Sequence, residues 1–322
     1  MEKFKNNETV VFIGSSITFN SRWISEIFEY YATNQKGKNI KIYACGVPGG
    51  RAESGLFDLE RNILKFNPDR AVIMYGMNEI NAPVYNDDAE ETVDNLESRR
   101  WHLVRFYNDL TSLANRLSGR NIKIDFCTPT PKDTSEALTS CNCKKINDGL
   151  KAAAEITKRV AEEHGAEFVD FFTPMRALVD GVRKIDKNVS FIRDDRTHPN
   201  DLGNSIMAKL FLRAQGFDDV LEPTAENVAD GSIYTPESDR MIKRREAEEK
   251  VQSFYAAEWL VLKNYRYDSL EKRIEQAEKY FESADGGFLK NLAGEYKNLA
   301  LNLEENRKKL KEITENIYRK GE

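Results

Sequence analysis

The chain has 322 residues, of which 40% are hydrophobic and 31% charged, and a formal net charge of −5. That length can bury one sizeable core and carry an added region, and mild acidity without a dense basic stripe argues against nucleic acid or an anionic membrane as the main partner. No run is apolar enough to span a bilayer, and Met1–Asn7 leads directly into a core-like strand, so a cytoplasmic location is expected.

In chain order, short apolar runs at Thr9–Ile13, Ile40–Cys45, Arg70–Tyr75, Ile122–Cys127 and Glu167–Phe171 read as strands. Helical patterns alternate with them near Arg22–Thr33, Ser54–Lys65, Glu90–Leu117, Lys144–His164 and Pro199–Gln215. The alternation predicts an α/β class chain, a three-layer α/β/α sandwich around a mainly parallel five-stranded sheet. The third helix carries Val93, Leu96, Leu103, Val104, Tyr107, Leu110 and Leu117 at helical spacing, and the fourth stops at a glycine signal, His164-Gly165.

The pattern changes after Gly216. Residues 217–238 contain Pro223, Gly231 and Pro236 and read as a linker. Residues 239–322 show no strand signal, only charged helical patterns: a helix over about 239–264, a second from Asp268, with Glu271 completing a capping box, to Asp285-Gly286-Gly287, and a last helix. The last carries Leu289, Leu292, Tyr296, Leu299, Leu303, Leu310, Ile313 and Ile317 in a coiled-coil-like seam interrupted at Asn306. The interspersed charges predict solvated, salt-bridged outer faces. The seam needs cover from the preceding helices or from a second copy, so a homodimer through these helices is one expectation. The domains expected are therefore 1–216, a linker at 217–238 and a helical extension at 239–322.

The four cysteines, Cys45, Cys127, Cys141 and Cys143, are few and read as free thiols. The Cys141-Asn142-Cys143 pair cannot supply the four ligands of a structural zinc site, and no metal is expected.

Ser16, in Gly14-Ser15-Ser16-Ile17, stands where a strand turns into a helix, at the carboxyl edge where open α/β sheets bind ligands. A serine there is often only a helix cap. Far downstream, however, Asp195-Arg196-Thr197-His198-Pro199 offers an oriented base that could take its proton. The second strand ends in Gly46-Val47-Pro48-Gly49-Gly50 and the third in Gly76-Met77-Asn78-Glu79, so the backbone N–H groups of Ser16 and Gly49 and the amide of Asn78 could converge as oxyanion donors. Pro199 suits the first position of a helix, which would put His198 at its N-terminus, where the dipole favours the neutral ring. His102 and His164 fall within or at the end of helices, away from this edge. The segment Phe126–Pro131 either lines the substrate pocket or makes a rigid strand exit.

These blocks, Gly14-Ser15-Ser16-Ile17, Gly46-Val47-Pro48-Gly49, Gly76-Met77-Asn78-Glu79 and Asp195-Arg196-Thr197-His198, resemble in order those of the SGNH hydrolases, the GDSL-type esterase and lipase superfamily, over about residues 8–216. The resemblance implies a flavodoxin-like SGNH fold with Ser16 as nucleophile, His198 as general base, Asp195 orienting it, and Ser16, Gly49 and Asn78 forming the oxyanion hole. Two positions depart from the family: Ser15 stands where an acidic residue is usual before the nucleophile, and Glu79 where an Asp usually follows the Asn. The resemblance implies a serine esterase acting on small O-acyl esters without metal or organic cofactor, with an acetylated glycan as the substrate suggested by the family's frequent ones. The alternatives are a lipase, thioesterase or acyltransferase with the same triad, or a non-catalytic binding or assembly protein that uses the helical tail.

Overall fold

The computed structural model describes residues 1–35, 37–80, 83–134, 144–262 and 269–318. Its sheet has five parallel strands, β1 (Thr9–Gly14), β2 (Lys41–Gly46), β3 (Arg70–Met74), β4 (Lys123–Cys127) and β5 (Glu167–Val169), in the order β2-β1-β3-β4-β5. β1 and β3 are buried along their whole length, as strands covered on both faces must be. Successive residues of β1 feed different cores: Val11 and Ile13 join one apolar cluster, Val10 and Phe12 the other.

The helices are α1 (Ser16–Asn20), α2 (Arg22–Asn34), α3 (Ala52–Asp58), α4 (Met77–Ile80), α5 (Val93–Ser118), α6 (Lys144–Glu163), α7 (Phe172–Ile185), α8 (Asp201–Ala214) and α9 (Ala225–Ala229). The C-terminal region adds α10 (Asp239–Leu262), α11 (Leu270–Ser283), α12 (Phe288–Leu301) and α13 (Leu303–Glu315). The core containing Val11 and Ile13 takes residues from α3, α5 and α6; the core containing Val10 and Phe12 takes them from α2, α7 and α8. The result is the predicted three-layer sandwich with further helices after it.

Several elements differ from the sequence-based expectation. The helix expected over Ser54–Lys65 ends at Asp58 and gives way to a short 3₁₀ turn, Ile63–Phe66. Between them Asn62 is buried, its side-chain amide donating to Gln252 Oε1 at 2.8 Å and its carbonyl accepting from Arg307 Nη2 at 3.3 Å. β5 stops at Val169 because the N–H groups of Phe171 and Phe172 turn to Thr128 Oγ1 at 2.8 and 2.9 Å. α7 was not expected, although Phe172, Met175, Leu178, Val179 and Val182 bury along it at helical spacing. In α5 only the second half is buried; Val93, Leu96 and Val104 are exposed.

The C-terminal helices depart further. α10 packs against β2, α2 and α3 on one side and α12 and α13 on the other. It is buried without interruption from Val251 to Trp259, so the expected solvated face is absent along this stretch. The seam is not one helix: Asn302 breaks it into α12 and α13, its side chain donating to the Asn298 carbonyl at 2.9 Å. Leu292, Tyr296, Leu299, Leu310 and Ile317 are buried within the chain itself, so these seam positions are not open to a second copy. Ser269 rather than Asp268 caps α11, accepting from Lys272 N at 3.3 Å; Asp268 lies outside the described residues.

β2 is an edge strand, and α10 covers that edge. Glu248 accepts the Ala44 backbone N–H at 2.7 Å, while Arg244 pairs with its carboxylate at 2.8 Å in a site closed to solvent. An open strand edge is thus satisfied internally. Leu299 and Leu310 join the Val11 core whereas Met241 and Ile317 join the Val10 core, so the tail grips the sandwich from both faces.

Candidate active site

Parallel register sets the site. Gly14 lies level with Gly46 and Met74, so the turns after β1, β2 and β3 open on one edge of the sheet. Gly46 permits the close approach of the first two turns: a Cβ there would fall 2.1 Å from the Phe19 backbone nitrogen. Gly49 has φ +68°, a conformation glycine adopts without strain.

Ser16 is the first residue of α1 and is half-buried. Its Oγ lies 2.7 Å from His198 Nε2, and His198 Nδ1 lies 2.6 Å from Asp195 Oδ2. A carboxylate can only accept, so Nδ1 carries the ring proton toward Asp195 and leaves Nε2 to accept from the Ser16 hydroxyl. Asp195 Oδ1 also accepts the backbone N–H groups of Thr197 and His198, both at 2.9 Å. Partial burial alone would raise the Asp195 carboxyl, but these hydrogen bonds together hold it below its usual range.

The loop bearing Asp195 and His198 is pinned at both ends. Arg193 N–H donates to the His198 carbonyl at 2.8 Å and Asn200 N–H to the Phe191 carbonyl at 3.1 Å, around an Ile192–Pro199 bridge. Asn200, not Pro199, begins the helical turn: it caps α8 through Gly203 N–H at 3.1 Å, and α8 starts at Asp201. His198 therefore sits outside the helix, and the expected placement at its N-terminus is corrected. The bridge to Ile192 keeps Pro199 extended.

A cavity of about 350 Å³ opens beside Ser16, lined by Ile17, Phe19, Pro48, Arg193, Asn204 and Phe288 as well as by Ser16, Asp195 and His198. Gly49 and Asn78 are not among its lining residues. Asn78 Nδ2 donates to the Gly50 carbonyl at 2.8 Å, which joins the second and third turns and leaves its other amide hydrogen free of that bond. Glu79 is buried and accepts from Ala52 N–H at 2.7 Å and Gly76 N–H at 3.0 Å. Burial pushes its carboxyl up to about 7, against the pull of these backbone donors. The longer acid at this departure from the family pattern thus braces both loops.

The Phe126–Pro131 segment is not on the described cavity wall; its Thr128 instead anchors the start of α7. His102 lies in α5 against Tyr85 and Trp101, and His164 against the Val160 carbonyl and Asn115. Phe288 was missed. It lies far from every motif in sequence, and its spacing marks it only as the start of a helix. Cys45 and Cys127 are buried free thiols, their pKa raised by that burial; Cys141 and Cys143 lie outside the described residues. Among the described residues no group of three or more His, Cys, Asp or Glu side chains is placed to hold a metal, and no helix is long and apolar enough to cross a membrane.

With this geometry in place, the sequence matches the GDSL-like lipase/acylhydrolase family over residues 12–206. The chain belongs to that family. It is accordingly a serine ester hydrolase of the SGNH superfamily, whose fold the solved structures share. BT4096, a gut microbial diltiazem-metabolizing enzyme, is 18% identical, with a TM-score of 0.77 over 99% of this chain and 96% of its own. A catalytic mutant of Axe2, an acetylxylan esterase from Geobacillus stearothermophilus, is 20% identical, with a TM-score of 0.51 over 69% of this chain and 100% of its own. No curated protein sequence matches significantly. GDSL-like family membership and the first of these structures both extend the likeness beyond the four blocks, the latter through the C-terminal helices.

Proposed function

We propose that this GDSL-like hydrolase removes a small acyl group, acetyl above all, from an oxygen ester through an acyl-enzyme on Ser16. The observation that carries the reading is the continuous chain from Asp195 through His198 to Ser16, at 2.6 and 2.7 Å, on the rim of a small cavity. In this reading His198 Nε2 takes the Ser16 proton as Oγ attacks the ester carbonyl, and Asp195 stabilises the imidazolium so formed. In the same reading the backbone N–H groups of Ser16 and Gly49 and the amide hydrogen of Asn78 not given to Gly50 receive the oxyanion, with Gly49 and Asn78 standing outside the described cavity wall. His198 then returns the proton to the departing alcohol, and water repeats the sequence to release the acid.

Support for acetyl esters of carbohydrate comes from Axe2, an acetylxylan esterase whose catalytic mutants replace a serine, an aspartate and a histidine, the residue types chained here.

Turnover of p-nitrophenyl esters of graded length, then of acetylated xylo-oligosaccharides, tests the reading. Activity is expected to fall beyond short acyl chains, and Ser16→Ala is expected to fold normally and lose on the order of a million-fold in kcat. A folded Ser16→Ala variant with near-parental turnover sinks the assignment.

A further inference from the structure

We propose that Phe288, carried by the C-terminal helices, forms a specificity-determining wall of the Ser16 cavity, and that the alcohol part of the substrate presents a flat ring with an apolar face to it. This rests on the esterase reading above. Phe288 lines the same cavity as Ser16 and His198 although it is 272 residues from Ser16 in the chain. Its ring meets that of Phe19 edge-on, with centroids 6.1 Å apart and planes at 78°. Phe19 belongs to α1, the helix that Ser16 begins, so the pair forms an aromatic corner beside the nucleophile.

Phe288 is nevertheless 46% exposed. The helix it begins is held firmly by Leu292, Ala293 and Tyr296, all buried, with Tyr296 stacked on Phe254 of α10 at 5.6 Å. A large ring kept half in water on a fixed helix, at the mouth of a reactive cavity, gains burial when an apolar group covers it, and a flat group covers the most of its face. Ile17 and Pro48 extend the same apolar surface. A sugar ring offers such a face through its C–H groups and an aryl ring through its π-system, so the two are separated by experiment.

The test compares the full chain with Phe288→Ala and Phe288→Leu on 1-naphthyl acetate, acetylated methyl xylopyranoside and ethyl acetate, the last having no ring. Phe288→Ala is expected to lower kcat/KM on at least one ringed ester by about tenfold, mainly through KM, and to change ethyl acetate by less than about twofold. Phe288→Leu should recover only part of the loss. Whichever ringed ester suffers identifies the ring type. Equal losses on all three esters, or no loss on either ringed ester, overturn the wall. If the parent cleaves no ester, the esterase reading has failed and the wall is judged by calorimetric titration of 1-naphthol and methyl xylopyranoside. Binding to the parent that Phe288→Ala abolishes supports it; binding to neither, or binding unaffected by the change, overturns it.

Discussion

The second half of α5 and the middle of α10 are both long, charged helices, yet they bury themselves in opposite ways. α5 lays Phe106, Leu110, Leu113 and Leu117 on the sheet and leaves its other side to water. α10 is enclosed on every side from Val251 to Trp259, and that span includes Gln252 and Glu258. The first is stabilised by an apolar stripe. The second lies between a sandwich edge and further helices, and partners meet most of its buried polar atoms: Asn62 donates to Gln252 Oε1, and Arg61, Arg273 and Tyr296 meet Glu258, while Gln252 Nε2 has no hydrogen-bond partner among the described residues. Charge along a helix therefore shows only that the helix is polar; whether water or another helix meets the charge depends on what packs beside it.

The sharpest way to break this contrast is at Glu248. If α10 is a built-in cover for the β2 edge rather than an appendage, Glu248→Ala leaves Arg244 unpaired in a closed site and orphans the Ala44 N–H. A loss of about 3–5 kcal/mol in urea unfolding is expected. Glu248→Gln keeps an acceptor for Ala44 and should lose less. A Glu248→Ala variant as stable as the parent would make the tail a separable extension.

On the layered side, the corresponding probe is Asn78→Ala, which removes the proposed oxyanion donor. It should lower kcat by about a hundred- to a thousand-fold with little change in KM. A rise confined to KM would mark Asn78 as a binding residue. Steady-state kinetics on p-nitrophenyl acetate decide between them.

Asp58 tests the junction between the two regions and gives the smallest effect. It is 2% exposed, and neither carboxylate oxygen has a hydrogen-bond partner among the described residues. Burial pushes its pKa from an ordinary 3.8 to about 7, with Arg61 pulling the other way. The folded chain thus holds a proton that the unfolded chain has lost between about pH 4 and pH 7. The stability this group allows is fully present below pH 4 and declines as pH rises through 7. Glu79 adds to the same slope. Asp58→Asn should flatten it and gain up to about 2 kcal/mol over the parent at pH 8, read from melting curves across pH 5–8. An unchanged slope would show that Asp58 is not a source of it.

The alternation of strands and helices, the parallel sheet and the grouping of Ser16, Asp195 and His198 were legible in the sequence. The sheet and the Asp195–His198 pair depend on local patterns, namely apolar runs long enough for buried strands, glycines that let turns approach, and an Asp-x-x-His spacing that brings a carboxylate to its own imidazole; the pairing of Ser16 with His198, 182 residues away, was legible only from the ordered set of blocks. The helix boundary at Pro199 was misread because its backbone is set by Ile192, on the far side of the loop. Glu79 was visible as a departure, but its work as a brace between Ala52 and Gly76 needed both loops in place.

Residue identity and local spacing thus determined the sheet and the chemistry that could stand at its edge. Tertiary structure alone decided that a charged C-terminal helix would seal β2 with Glu248, that the leucine seam would turn inward, and that Phe288 would line the cavity beside Ser16. The physical reason is that a side chain carries its polarity with it wherever the chain goes, whereas its burial depends on the surfaces folding brings against it, and those surfaces come from distant parts of the sequence.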